Sequence, residues 1–124
     1  MSNIIYKNES YKIIGVLFDV YNNLGSGFSE IVYKDALEHE FNCLNIIYER
    51  EKEYLVNYKE IVLKHKFYAD FIIFDKIILE IKSVKDLHEK HFAQCINYLK
   101  VSKCKLAILA NFREDYLDYK RIVL

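Results

Sequence analysis

The chain has 124 residues, enough for one domain with a sizeable core and too few for two. Hydrophobic residues make up 52% of it and include 11 tyrosines and 8 phenylalanines, which excludes a disordered chain. Eighteen Lys and Arg balance 18 Asp and Glu, and zero formal charge excludes the strongly basic surface of a general nucleic-acid coat. A local basic strip is still compatible, because Lys82, Lys85, Lys90, Lys100, Lys103 and Lys105 gather in the C-terminal half. No apolar run approaches the roughly 20 residues of a membrane helix, and no basic-then-apolar leader opens the chain. A soluble, cytoplasmic protein with no membrane contact is expected. Cys43, Cys95 and Cys104 stand at unrelated spacings without a Cys-x-x-Cys pair, so they read as reduced thiols in or near the core rather than zinc or iron–sulfur ligands. Proline is absent and glycine occurs three times, which implies short connections.

Residues 10–23 place Ile14, Leu17, Phe18 and Tyr21 at helical spacing, with Ser10 as N-cap. Gly25-Ser26-Gly27 ends this helix. It lacks a Walker lysine and follows a helix rather than a strand, so it reads as a turn and not a phosphate loop. A second helix is expected over 28–42, with Glu30, Tyr33 and Leu37 on one stripe and Ile31, Ala36 and Phe41 widening its apolar side. Glu30 lies in its first turn, where the helix dipole favours a carboxylate whatever its role. Segments 46–58 and 61–66 alternate apolar with charged residues and suggest an antiparallel hairpin turning near Lys59-Glu60.

Residues 70–82 follow as two runs of aliphatic and aromatic side chains separated by Asp75-Lys76, which read as a hairpin of strands buried on both faces. Asp70, Glu80 and Lys82 are out of place there. A buried charge persists where it meets a partner, a metal or a wet cleft, since leaving it unpaired costs several kcal/mol or more. Glu80 and Lys82 face the same side of their strand. Asp70 joins them if an odd-length turn or a bulge sets it opposite Glu80, whereas a two-residue turn puts it on the other face. Two carboxylates and an ammonium on one face could hold a hard divalent cation and position a water beside it.

A third helix is expected from Asp86 or Leu87 to Val101. His91, Gln94, Tyr98 and Val101 share one stripe, with Phe92, Ile96 and Leu99 on the neighbouring core face. Residues 105–112 form a buried strand, 113–118 a polar turn, and 119–124 a last strand at the sheet edge.

In chain order these elements carry Gly27-x-x-Glu30-x-x-Tyr33, then Asp70, Glu80-x-Lys82, and Gln94-x-x-x-Tyr98. The arrangement resembles the PD-(D/E)xK, restriction-endonuclease-like nuclease superfamily over nearly the whole chain, and within it the small GxxExxY proteins. Two departures are a tyrosine, Tyr21, where that family usually carries a histidine, and Gly25-Ser26-Gly27 in place of Gly-Pro-Gly. The resemblance implies an α/β (α+β) fold with a central mixed β-sheet flanked by helices, spanning 1–124 as one domain. It also implies Mg²⁺- or Mn²⁺-dependent hydrolysis of DNA or RNA. By position, Asp70, Glu80 and the backbone carbonyl of Ile81 would ligate the metal, and Glu30 would be a ligand or hold a water beside it. Lys82 would orient the attacking water, and Gln94 and Tyr98 would order the site and contact substrate. A structural ion cluster is the plain reading of Asp70, Glu80 and Lys82, and dipole placement is that of Glu30. Ordinary helix packing is the plain reading of Gln94 and Tyr98. The corresponding alternative function is a catalytically silent binding module for nucleic acid or protein, and a homodimer through an edge strand suits either function.

Overall fold

Helical periodicity in the first third of the chain and β-alternation in the middle decide the order of elements. A computed structural model describes residues 4–124. It gives α1 (Lys7–Leu24), α2 (Glu30–Cys43), β1 (Tyr48–Tyr58), β2 (Ile61–Ile73), β3 (Ile77–Lys82), α3 (Glu89–Ser102), β4 (Leu106–Asn111) and β5 (Asp118–Val123). The strands form one five-stranded sheet in sequence order. Neighbours are antiparallel except β3 and β4, which run parallel because α3 carries the chain back between them. The result is the mixed, helix-flanked sheet of a restriction-endonuclease-like core. Among the described residues no helix is long and apolar enough to cross a membrane.

Each face of the sheet has its own apolar layer. On one, Ile13, Leu17 and Val20 of α1 and Tyr33, Leu37 and Phe41 of α2 meet Phe71, Ile73, Leu79, Ile81 and Ile108. On the other, Cys95, Tyr98 and Leu99 of α3 cover Ala69, Ile72, Ile78 and Leu109. β3 and β4 are sandwiched between the two layers, which is why their sequences are nearly unbroken hydrophobic runs.

Several sequence expectations are corrected. Ser10 does not cap α1; the helix starts at Lys7, and Ser10 is fully buried within it, accepting a 3.3 Å hydrogen bond from the Arg121 guanidinium. The buried apolar residues of α1 are Ile13, Ile14, Val16, Leu17 and Val20, so Ile14 and Leu17 lie inward as expected, while Phe18 is 40% exposed. Ile31 points outward, while Tyr33, Leu37 and Phe41, with Ala36 at the margin, fill the space beneath α2. Segment 61–66 and the first half of the buried hairpin are one continuous strand, β2. Cys43 is exposed, while Cys95 is in the core and Cys104 at its margin.

Tyr33 explains why a tyrosine follows Gly25-Ser26-Gly27 at this distance. Its ring stacks on Phe112 with centroids 4.3 Å apart, and its hydroxyl donates to the Gly25 carbonyl at 2.7 Å while accepting the Phe28 N–H at 3.1 Å. The loop into α2 is thereby clamped to the sheet. Gly25 and Gly27 both have positive φ, 72° and 98°, in the region where a side chain is strained. Tyr33→Phe is expected to cost about 1 kcal/mol, because it keeps the ring and loses the hydroxyl bonds. Phe112→Ala, which empties a fully buried site, is expected to cost about 3–5 kcal/mol. Urea denaturation of the two variants checks the order.

Candidate active site

The connection between β2 and β3 sets the geometry. Phe71 pairs with Leu79, Ile72 with Ile78 and Ile73 with Ile77, leaving the three-residue turn Phe74-Asp75-Lys76. Phe74 and Asp75 take positive φ, 55° and 58°. The odd turn length brings Asp70 opposite Glu80 when the register is continued. There the regular ladder stops and side chains take it over. The Asp70 N–H donates to Glu80 Oε1 at 2.8 Å, and the Ile81 N–H donates to Asp70 Oδ2 at 2.8 Å. Each carboxylate thus satisfies a backbone donor of the other strand.

The opposite neighbour yields at the same point. β1 pairs Arg50 with Phe71 and Lys52 with Ala69, but the intervening Glu51 has φ 55° and makes no bridge to Asp70. The alternation of β2 slips across this kink: Phe71 and Ile73 face α1 and α2, whereas Phe67 and Ala69 face α3. Asp70 sits at the slip. In β3 the alternation is regular, so Glu80 and Lys82 share the α3 side with Ile78.

Asp70 is 8% exposed and Glu80 2%. Burial, and next the neighbouring Asp70 carboxylate, pushes the Glu80 carboxyl well above its ordinary range. The charge facing Asp70 comes from an element that sequence reading did not connect to it. Lys34 of α2 places its Nζ 3.0 Å from Asp70 Oδ1 and 3.1 Å from Glu51 Oε1, with its side chain 13% exposed. Burial alone disfavours this ammonium, but Asp70 and then Glu51 outweigh it and its pKa rises. Lys34 lies one helical turn beyond Glu30, and that i,i+4 spacing was the available signal.

Glu30 itself is half buried at the start of α2. Its i,i+4 relation to Lys34 puts it on the stripe that reaches Asp70, yet no hydrogen bond or ion pair ties it to the carboxylates. Among the described residues no three His, Cys, Asp or Glu side chains are grouped closely enough to hold a metal ion. The structure therefore brings Asp70 and Glu80 together directly, while Glu30 stands apart from them.

Lys82 has no ion-pair partner among the described residues. It lines an open groove of about 530 Å³ with Phe67, Lys90, His91, Gln94 and Asn97. Gln94 and Lys82 are thus brought to one surface, as the sequence suggested. Tyr98, expected at substrate, has its ring in the core, edge-on to Phe67 with centroids 5.8 Å apart. Burial and the nearby Glu80 and Asp70 raise its phenol pKa. The inner face of α3 is His91, Cys95, Tyr98 and Leu99, with Phe92 and Ile96 only half buried, so the polar stripe is turned further inward than expected. Cys95 lies beneath Glu80, and burial pushes its thiol up to about 12, which makes it inert packing. His91 Nδ1 accepts the His88 N–H at 2.9 Å, and burial, helped by Lys82 and Lys90, lowers the pKa of the ring. A larger concavity, about 660 Å³, lies beside the start of β4, at the far end of the sheet from these groups.

Two further residues fix the backbone that follows Lys82. Asn111, fully buried beside Lys82 on β4, accepts the Val84 N–H at 3.0 Å and donates to the Val84 carbonyl at 2.8 Å. Ser83 Oγ donates to the Phe28 carbonyl at 2.6 Å, tying the exit of β3 to the loop before α2. Asn111 breaks an otherwise aliphatic strand, and that exception was its only mark in the sequence.

Comparison with known proteins agrees with this fold. The structure resembles that described as "Crystal structure of SSO0001", with a TM-score of 0.62 and 28% sequence identity over 77% of this chain. The match spans 50% of that protein, so this chain corresponds to about half its length. Among curated proteins none matches. A sequence model described as the PD-(D/E)XK nuclease superfamily matches residues 7–122, which include the paired carboxylates, the lysine two residues after Glu80 and all three helices. The chain belongs to the PD-(D/E)XK nuclease superfamily.

Proposed function

We propose that the chain is a metal-dependent nuclease that hydrolyses phosphodiester bonds of DNA or RNA. The observation that carries this reading is the fork at Asp70 and Glu80, where two strands part and each buried carboxylate accepts a backbone N–H of the other strand, Glu80 from Asp70 and Asp70 from Ile81, with Lys82 opening into a groove. The donor set suits a hard divalent cation: it is all oxygen, and it is short of positive charge, since one ammonium faces two buried carboxylates. Asp70, Glu80 and the Ile81 carbonyl would hold Mg²⁺ or Mn²⁺, and Glu30, which stands apart from the two carboxylates, would be a further ligand or hold a water beside the metal. When bound, such a cation supplies Lewis-acid stabilisation of charge on a phosphoryl group and lowers the pKa of water.

The protein's own groups supply the rest. Lys82, free of carboxylate partners, orients the attacking water and offsets charge on the phosphate. Gln94 contacts the nucleic acid from the groove wall, and Lys90 and Asn97 extend that polar wall along α3. Tyr98, whose phenol feels the charge of Glu80, would order the site from the core. His91 keeps its Nδ1 occupied by backbone, which leaves Nε2–H as a donor. One observation favours the alternative of a catalytically silent binding module: Lys34 already satisfies Asp70. Homodimerisation through an edge strand fits either reading, since β1 and β5 bound the sheet.

Labelled single- and double-stranded DNA and RNA, incubated with Mg²⁺ or Mn²⁺, provide the direct test. Cleavage is expected, with Glu80→Ala and Lys82→Ala each slower by about 10²-fold or more. Cleavage that survives both substitutions would rule out this site. Saturating Mn²⁺ is also expected to raise the melting temperature of the wild type, with the rise lost in Asp70→Ala; at about 100 times Kd the stabilisation is about 2.7 kcal/mol.

The metal-free protein has a pH signature. The folded chain binds the Glu80 proton more tightly than the unfolded chain, whose reference value is 4.5. The stability this group contributes is complete below that value and is lost as pH rises through the raised folded value. Metal-free Glu80→Gln is therefore expected to be more stable than wild type at neutral pH, with the advantage shrinking toward pH 4. Denaturation at a series of pH values in chelator measures this, and a Glu80→Gln protein weaker than wild type at neutral pH contradicts it.

A further inference from the structure

We propose that Lys34 is a built-in competitor for the cation site: its ammonium bridges Asp70 and Glu51 when no metal is bound and is kept by Glu51 alone when a divalent cation takes Asp70. The inference rests on the metal-dependent reading above and concerns a positioning residue, since Lys34 acts through Asp70.

Four observations carry it. Lys34 Nζ lies within hydrogen-bond distance of two acceptors that differ in surroundings, Asp70 Oδ1 in the fork and Glu51 Oε1 at the surface. Asp70's other oxygen is already engaged by the Ile81 N–H, so Oδ1, the oxygen facing away from that backbone bond, is the one the ammonium occupies. The Glu51 side chain is 50% exposed and has no other partner among the described residues, so it can keep Lys34 after Asp70 is taken. Finally, Glu51 stands opposite Asp70 with φ 55°, and this left-handed kink is what lets a β1 side chain meet the same ammonium.

The physical reason for such an arrangement is the cost of the empty site. Two buried carboxylates without a cation repel each other and lack solvation, and one ammonium relieves part of this. A divalent cation offers twice the charge and accepts several oxygens at once, so it can displace the ammonium. The long lysine stem permits the exchange without moving α2. The arrangement stabilises the empty protein and weakens metal binding by the same contact.

Calorimetric titration of the full chain with Mn²⁺ alone tests this, using Lys34→Gln and Lys34→Arg beside the wild type and melting curves in chelator and in Mn²⁺. Lys34→Gln is expected to bind Mn²⁺ about five- to tenfold more tightly, to melt lower than wild type in chelator, and to gain more from Mn²⁺. Lys34→Arg keeps the charge but grips a carboxylate with a planar fork, so Mn²⁺ should bind it several-fold more weakly. Should Lys34→Gln fail to fold, Lys34→Arg decides alone, because a field effect without contact leaves its affinity equal to wild type. Unchanged affinity in Lys34→Arg, or unchanged or weaker affinity in a folded Lys34→Gln, overturns the competition while leaving the metal site standing. Absence of Mn²⁺ binding in wild type and both variants removes the metal-dependent reading, and the competition with it.

Discussion

Two hydrogen bonds across a parting pair of strands organise this molecule. Asp70 N–H to Glu80 and Ile81 N–H to Asp70 replace the ladder where β2 and β3 separate. A buried backbone donor left unpaired costs about 1–3 kcal/mol, so the carboxylates are structural as well as chemical groups. Their own burial is the opposing cost. It is met by Lys34 from α2 on one side and by proximity to Lys82 on the other, so the site draws on both layers of the fold. The central strands could be apolar throughout except here, because this is where the sheet opens between α2 and α3.

The surrounding fold reads as support for that opening. Tyr33 clamps the loop before α2, and Ser83 ties the same loop to the end of β3, so Glu30, Lys34 and Lys82 are carried by connected backbone. Asn111 holds the chain as it leaves β3 for α3. α3 closes the floor with Cys95 and Tyr98 and presents Gln94 at the groove. A nuclease in this superfamily needs charged groups held rigidly at the end of a hydrophobic sheet. Here the rigidity comes from hydrogen bonds to backbone on every flank of the fork.

Much of the arrangement was legible in the amino-acid order. Burial on both faces showed in the unbroken runs of β3 and β4. The three charges interrupting such runs stood out, but parity put Asp70 opposite Glu80 only for an odd turn or a bulge, and the three-residue turn of the structure decides between the two faces. The faces of the helices were less legible. Phe18 and Ile31 look like core in a helical wheel but lie outward, because the width of the buried stripe depends on what packs against it. Tyr98 followed the polar stripe by spacing yet lies in the core, because a long aromatic ring is amphipathic and either placement satisfies it.

The sequence by itself determined the element order and which charges had to be accounted for, since these follow from local periodicity and the cost of burying charge; the mixed sheet was implied only by the family resemblance, and its parallel β3–β4 pair is a tertiary contact. Only the tertiary structure decided the partners of those charges. Lys34 is 36 residues from Asp70 along the chain, and Asn111 is 27 from Val84. Nothing local connects either pair. Their meeting depends on how α2 and β4 pack against β2 and β3, and on a left-handed kink at Glu51 that no side-chain pattern announces. Periodicity specifies a face, but the distance across which two faces meet is set by packing the whole.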